Sequence, residues 1–162
     1  MNTFRKSLIA VLGAVATVLV LSAPANAAPI DKKPTNAEMV QIAEQTGRVW
    51  DEQKQELVER WDCNTGDVCF YSGPAGTGDM CHWSGNDDDW QRGSVTCSWS
   101  ARTTVKSVKN NGTSTAYNGV RYYDQVGQDR DDSVGCIPRG GRGTLRNERF
   151  LKSHKWETGA CG

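Results

Sequence analysis

Cys63-Asn64-Thr65-Gly66-Asp67-Val68-Cys69-Phe70-Tyr71-Ser72-Gly73 is where the chain changes character. Two cysteines bracket Gly66, a β-prone run follows from Val68 to Tyr71, and glycine, serine and threonine then punctuate the sequence. β-Branched and aromatic residues suit a pleated, half-buried surface, and the small polar residues supply the turns. Further β-prone runs stand at residues 95–99, 104–109, 115–117 and 120–123. Asn111-Gly112 falls between two of them, a pair that tight hairpins favour because both central positions need positive φ. This spacing predicts a mainly β sandwich or barrel over residues 62–162.

A weak internal repeat sharpens the expectation. Val105-Lys106-Ser107-Val108-Lys109 returns as Leu151-Lys152-Ser153-His154-Lys155, and Val68-Cys69-Phe70-Tyr71 is echoed by Val120-Arg121-Tyr122-Tyr123. Two similar halves, each one Greek-key unit, would close one apolar face on the other.

Working outward, the N-terminus differs in kind. Arg5 and Lys6 precede an uncharged apolar run from Leu8 to Leu21, and Ala25-Asn26-Ala27 gives a small-x-small cleavage pattern. Residues 1–27 therefore read as a secretory signal peptide, the apolar run being short for a membrane span. The expected product is secreted, extracellular and free of the membrane after cleavage. Residues 28–61 read as a proline-containing leader and an amphipathic helical segment. Thr35 and Glu38 have capping-box spacing, and Met39, Ile42, Ala43, Thr46, Trp50, Gln53, Leu57 and Trp61 recur at helical intervals. Gly47 breaks or kinks that run, so one helix of about 25 residues and two shorter ones are both open. The stripe would pack on the cysteine-rich domain or form a detachable cover for a binding face.

Composition narrows the function. Nineteen Lys and Arg balance nineteen Asp and Glu, so no basic stripe marks a nucleic-acid partner. The cysteines number six, all from Cys63 onward; on an exported chain an even count reads as a disulfide framework, its connectivity open. Cys81-His82, Cys97 and His154 contain metal-ligand types, but no C-x-x-C pair accompanies them and oxidation competes for the thiols. No metal and no cofactor is expected. Asn86-Asp87-Asp88-Asp89 and the cluster Asp129, Asp131 and Asp132 lack the ordered spacing of a calcium loop and read as solvated. Neither histidine lies in a nucleophile-elbow or zincin motif, which argues against an enzyme. The six tryptophans read mainly as core, with a sugar-stacking platform as the rival.

The opening motif, continued to Gly78, resembles the start of the secreted actinobacterial peptidase inhibitor family typified by Streptomyces metalloproteinase inhibitor. Ser107-Val108-Lys109-Asn110-Asn111-Gly112-Thr113 and the Arg121-Tyr122 strand resemble later parts of it, so the likeness spans residues 63–156. It implies a βγ-crystallin-like double Greek-key sandwich and a peptidase inhibitor that binds a secreted metalloprotease through a rigid, substrate-like loop. Such a loop gains affinity because its ordering cost is met before binding. The resemblance implies a Cys63–Cys69 disulfide; Cys81–Cys97 and Cys136–Cys161 are then expected in chain order. It also places the inhibitory loop at Cys136-Ile137-Pro138-Arg139, with Ile137 filling the pocket such proteases keep for a large apolar side chain. The family closes this loop with a second cysteine where this chain has Gly141, and Pro138 interrupts the extended stretch. Crystallin-type calcium ligands are missing from Arg102-Thr103-Thr104-Val105-Lys106-Ser107, and residues 28–61 have no counterpart. A monomer is expected. The alternative on the same fold is a non-catalytic cell-envelope or extracellular module for a glycan or protein partner.

Overall fold

Strand β3, Val68–Tyr71, is buried at all four positions because it lies inside a sheet that is covered on both faces. Side chains alternate along a strand. Val68 and Phe70 accordingly enter one apolar cluster with Trp83, Trp90, Val105, Val120 and Leu151, while Cys69 and Tyr71 enter a second with Val49, Val58 and Met80. The computed structural model describes residues 33–35, 38, 41–42 and 45–161, so the expected signal peptide lies outside the described residues.

The other strands are β1 (Arg48–Asp51), β2 (Glu56–Glu59), β4 (Asp79–Trp83), β5 (Val105–Asn110), β6 (Gly119–Tyr123), β7 (Ser133–Pro138), β8 (Arg142–Arg149) and β9 (Ser153–Glu157). They form a six-stranded sheet, β2-β1-β4-β3-β5-β8, and a three-stranded sheet, β7-β6-β9. The protein is thus mainly β in two sheets. Its halves share a plan: β3 lies between β4 and β5, and β6 lies between β7 and β9. Both sequence echoes fall on comparable places, Val68–Tyr71 and residues 120–123 on the central strands β3 and β6, residues 105–109 and 153–155 on a strand paired with each, while Leu151 and Lys152 precede β9. The halves also exchange segments. β8 leaves β7 to pair with β5, and in the other direction Asp87 forms an antiparallel bridge with His154 of β9.

Three disulfides staple this frame: Cys63–Cys69, Cys81–Cys97 and Cys136–Cys161. For a domain this small, covalent closure supplements a limited core.

Several local expectations give way to tertiary context. Thr35 and Glu38 do exchange capping bonds, Thr35 N–H to the Glu38 carboxylate at 2.7 Å and Glu38 N–H to the Thr35 hydroxyl at 3.4 Å. Residues 38, 41–42 and 45–46 have helical backbone. The helical run does not continue to Trp61. Gly47 has φ 68°, and β1 and β2 then form an antiparallel hairpin with Val49 opposite Val58. Val49 and Val58 fill the second cluster, and β1 pairs in parallel with β4, which outweighs the helical spacing. Sheet membership therefore begins at Arg48.

Residues 95–99 are not a strand: a 3-10 helix spans Ser98–Ala101, after Cys97 is tethered to Cys81 and donates its N–H to Trp90 O at 2.8 Å. Residues 115–117 form an exposed turn. Asn111-Gly112 is not a hairpin turn either, since β5 and β6 belong to different sheets. Asn111 ties the crossing to the first disulfide loop, its side-chain amide donating to Cys63 O at 2.8 Å. Gly112 is needed for close approach: a Cβ there would lie 2.4 Å from the Trp156 ring.

Candidate functional site

The segment Cys136-Ile137-Pro138-Arg139 does not form a free loop. Cys136 and Ile137 lie inside β7, opposite Arg121 and Val120 of β6, and Ile137 is half-buried against the main apolar cluster. Only Pro138, Arg139 and Gly140 are exposed, in a tight turn where Gly141 N–H donates to Pro138 O at 2.9 Å and Gly140 has φ 74°. The buried Asn110 grips this turn. Its backbone N–H donates to Gly141 O at 2.9 Å, its carbonyl accepts from Gly140 at 3.0 Å, and its side-chain amide donates to Ile137 O at 3.2 Å. The Cys136–Cys161 disulfide holds the strand behind it.

A second element lies against the turn. Residues 113–118 are all exposed. Arg139 donates from Nη1 to Ser114 O at 2.8 Å and from its backbone N–H to Asn118 O at 2.9 Å. Asn118 donates to Glu157 O at 2.8 Å through its backbone and to Thr158 O at 2.6 Å through its side chain. The Tyr117 ring sits 5.8 Å from the Trp156 ring, centroid to centroid. Sequence reasoning missed this loop by reading 115–117 as a strand. The available signal was the run Gly112-Thr113-Ser114-Thr115-Ala116, which carries no large apolar residue to bury.

At another place His82, on β4, lies between two carboxylates. Its Nδ1 is 2.7 Å from Asp67 Oδ2 and its Nε2 is 3.6 Å from Asp51 Oδ2. Its pKa is raised by the nearby Asp51 carboxylate, with burial opposing and Asp67 adding. Burial works to raise Asp51, but the nearby His82 imidazole, the hydrogen bond from the Lys54 backbone N–H and the Lys54 charge outweigh it, leaving its pKa lowered. Beside them opens a cleft of about 520 Å³, lined among others by Gln53, Asp67, His82, Trp83, Asp87 and Arg92. Neither amide atom of Gln53 has a hydrogen-bond partner among the described residues, although both are buried. This cluster was hidden because Asp51 and Gln53 fell in the expected helix.

The residue types read as possible metal ligands have other employment. Cys81 and Cys97 are bonded to each other, and the third group beside them is the Glu52 carboxylate. His154 is fully buried: its Nδ1 accepts from Trp90 Nε1 at 2.8 Å and its Nε2 donates to Gly85 O at 2.8 Å. Burial pushes its pKa down to about 4, so it stays neutral. Asp129 caps a 3-10 helix over Arg130–Asp132, and Asp87 Oδ1 accepts the Asp89 N–H at 3.0 Å.

Three disulfides fit an extracellular protein. Residues 58–129 match the model of peptidase inhibitor family I36, so over that stretch the chain carries the sequence pattern of a peptidase-inhibitor family. The match includes the first disulfide and the exposed loop at 113–118 and ends before Cys136. No curated protein and no solved structure matches the chain. Among the described residues no helix is long and apolar enough to cross a membrane.

Proposed function

We propose that this protein is a secreted inhibitor of a metalloprotease, built on a βγ-crystallin-like pair of Greek keys and acting through a rigid, substrate-like surface. The match of residues 58–129 to a peptidase-inhibitor family carries the reading. The repeated plan β4-β3-β5 and β7-β6-β9, with β8 and the Asp87 bridge exchanged between halves, supports the paired Greek keys. The target class comes from the resemblance of the Cys63–Gly73 motif, and export from the signal-peptide pattern over residues 1–27. Because β1 and β2 belong to the six-stranded sheet, the inhibitory domain then reaches back to Arg48 rather than starting at residue 62, and the active species is a monomer.

The test is titration of the mature protein against thermolysin-like metalloproteases, with trypsin-like and subtilisin-like enzymes alongside because Arg139 is an exposed basic residue. Tight inhibition of a metalloprotease is expected. Full protease activity at micromolar protein across the whole panel rejects the reading.

One observation favours a second reading, a glycan-binding module. The cleft at Gln53 and His82 mixes donors and acceptors, and the unpartnered Gln53 amide offers one of each, as a hydroxyl-rich ligand requires. Cell-wall glycan binding that Gln53→Ala abolishes, without protease inhibition, would select it.

A further inference from the structure

We propose that the protease-contacting loop is residues 113–117, and that Arg139 is its brace. This rests on the inhibitor reading and moves the contact away from Ile137. Three observations converge on the loop.

The first is presentation. Residues 113–118 form a run of six exposed positions, whereas Ile137 is half-buried in a paired strand and could reach a cleft only if β7 left β6. Thr113, Ser114, Thr115 and Ala116 are small and uncharged, and Tyr117 adds one large side chain that is 38% exposed. That is a small, uncharged turn with one large side chain, suited to an uncharged endopeptidase cleft that has a single roomy subsite.

The second is preorganisation. The loop begins at Asn111, anchored to Cys63 O and Asp67 O, and ends at Asn118, anchored to Glu157 O and Thr158 O. Between these anchors the Arg139 guanidinium holds the Ser114 carbonyl, and the Tyr117 ring rests near Trp156. A loop fixed at both ends and in the middle loses little further freedom on binding.

The third is the fate of a cut. Hydrolysis of a peptide bond between Ser114 and Asn118 adds one water and leaves a carboxylate and an amine. With Ser114 held by Arg139 and Asn118 held by residues 157 and 158, the new ends stay in register. The reverse reaction then expels the same water and restores the bond, so cleavage does not discharge the complex. Arg139 contributes as a positioning residue, acting through Ser114 rather than on the protease.

The deciding experiment compares the full mature chain with Thr115→Trp, Arg139→Ala and Arg139→Lys, using inhibition titrations, thermal midpoints and mass spectrometry after long incubation with the inhibited protease. Thr115→Trp, on an exposed position, is expected to keep the midpoint and weaken inhibition by at least about tenfold. Arg139→Ala is expected to inhibit at first and then to be cut within 113–118, with protease activity returning; Arg139→Lys, which restores a donor, slows that return. Wild-type inhibition left unchanged by Thr115→Trp, with Arg139→Ala intact after incubation, overturns the loop but not the inhibitor reading. A wild-type protein that inhibits nothing overturns both.

Discussion

Trp90 and His154 are joined through their rings: the indole N–H of Trp90 donates to Nδ1 of His154 at 2.8 Å. The acceptor role fixes the proton of His154 on Nε2, which donates to Gly85 O, and Trp156 Nε1 donates to the same carbonyl at 3.0 Å. The imidazole thereby anchors the segment that carries Asp87 to β9, where the two halves exchange chain. It also packs against the rings of Phe70, Trp83 and Trp90, so the anchor is the centre of the aromatic core.

Acid should therefore loosen the fold through His154. Its pKa falls from 6.5 to about 4 on folding, so the unfolded chain binds the proton first as pH drops. The contribution is complete above the unfolded value and is lost as pH falls through the folded one. The full loss is about 3 kcal/mol, because each tenfold drop in proton affinity on folding is worth about 1.4 kcal/mol. Urea unfolding between pH 7 and pH 4 measures it. A His154→Gln variant is expected to be less stable at pH 7 and to lose this acid dependence; an unchanged slope would place the titration elsewhere.

His82 predicts the opposite limb. Its pKa is raised, so its pairing with Asp51 and Asp67 is fully present below the unfolded value and is lost as pH rises through the folded one. Asp51 contributes above its unfolded value and fails in acid. His82→Gln is expected to flatten the alkaline side of the stability profile and to weaken the Asp51 part of the acid side, because His82 helps hold the Asp51 pKa down; the part set by His154 should remain. Asp51→Ala carries a further cost, because Asp51 Oδ1 accepts the backbone N–H groups of Gln53 and Lys54 at 3.0 and 3.1 Å. Loss of that cap is worth about 1–2 kcal/mol and should show first as faster amide exchange in the β1–β2 hairpin.

The fold was legible wherever local pattern and burial agreed. Val68–Tyr71 reads as β and is a central strand, and its echo at 120–123 holds the same place in the second sheet. The repeat was therefore better evidence than any single run. Strands β7 and β8 escaped for want of an apolar alternation: β7 is half-buried through most of its length, and β8 alternates in exposure only over its first five residues, with Leu145 as its one large apolar side chain. The hairpin at 48–59 escaped for another reason. Its apolar residues fit a helical period by count, while the deciding contacts, Val49 and Val58 with Tyr71 and Met80, lie far along the chain. The exposed loop was hidden by the β propensity of Thr115 and Tyr117, and its brace, Arg139, lies 25 residues from Ser114.

Removing the Cys81–Cys97 bridge should be the most damaging single covalent change. Both cysteines are fully buried, and the bridge seats the 3-10 helix that buries Trp99 beside β4. The paired Cys81→Ser, Cys97→Ser variant is expected to lose about 2–5 kcal/mol, read from denaturant midpoints of the oxidised proteins. Peptide mapping without reductant should find Cys81 linked to Cys97; a shuffled pairing would contradict the geometry described above.

Ile137 separates a structural role from a contact role. It lies on β7 opposite Val120, a fully buried residue of β6, and packs on the main cluster. Trimming one methylene there should cost about 0.5–1.5 kcal/mol, so Ile137→Val is expected to lower the thermal midpoint slightly. Ile137→Asp places a carboxylate against Val120 and should cost roughly 1–3 kcal/mol or more. Neither change alters residues 113–117, so inhibition measured well below the midpoint should match the wild type in both. If Ile137→Val instead weakens inhibition strongly at an unchanged midpoint, the side chain itself meets the protease. β7 would then have to peel away from β6 on binding, and amide exchange at residues 133–138 would rise in the complex rather than fall.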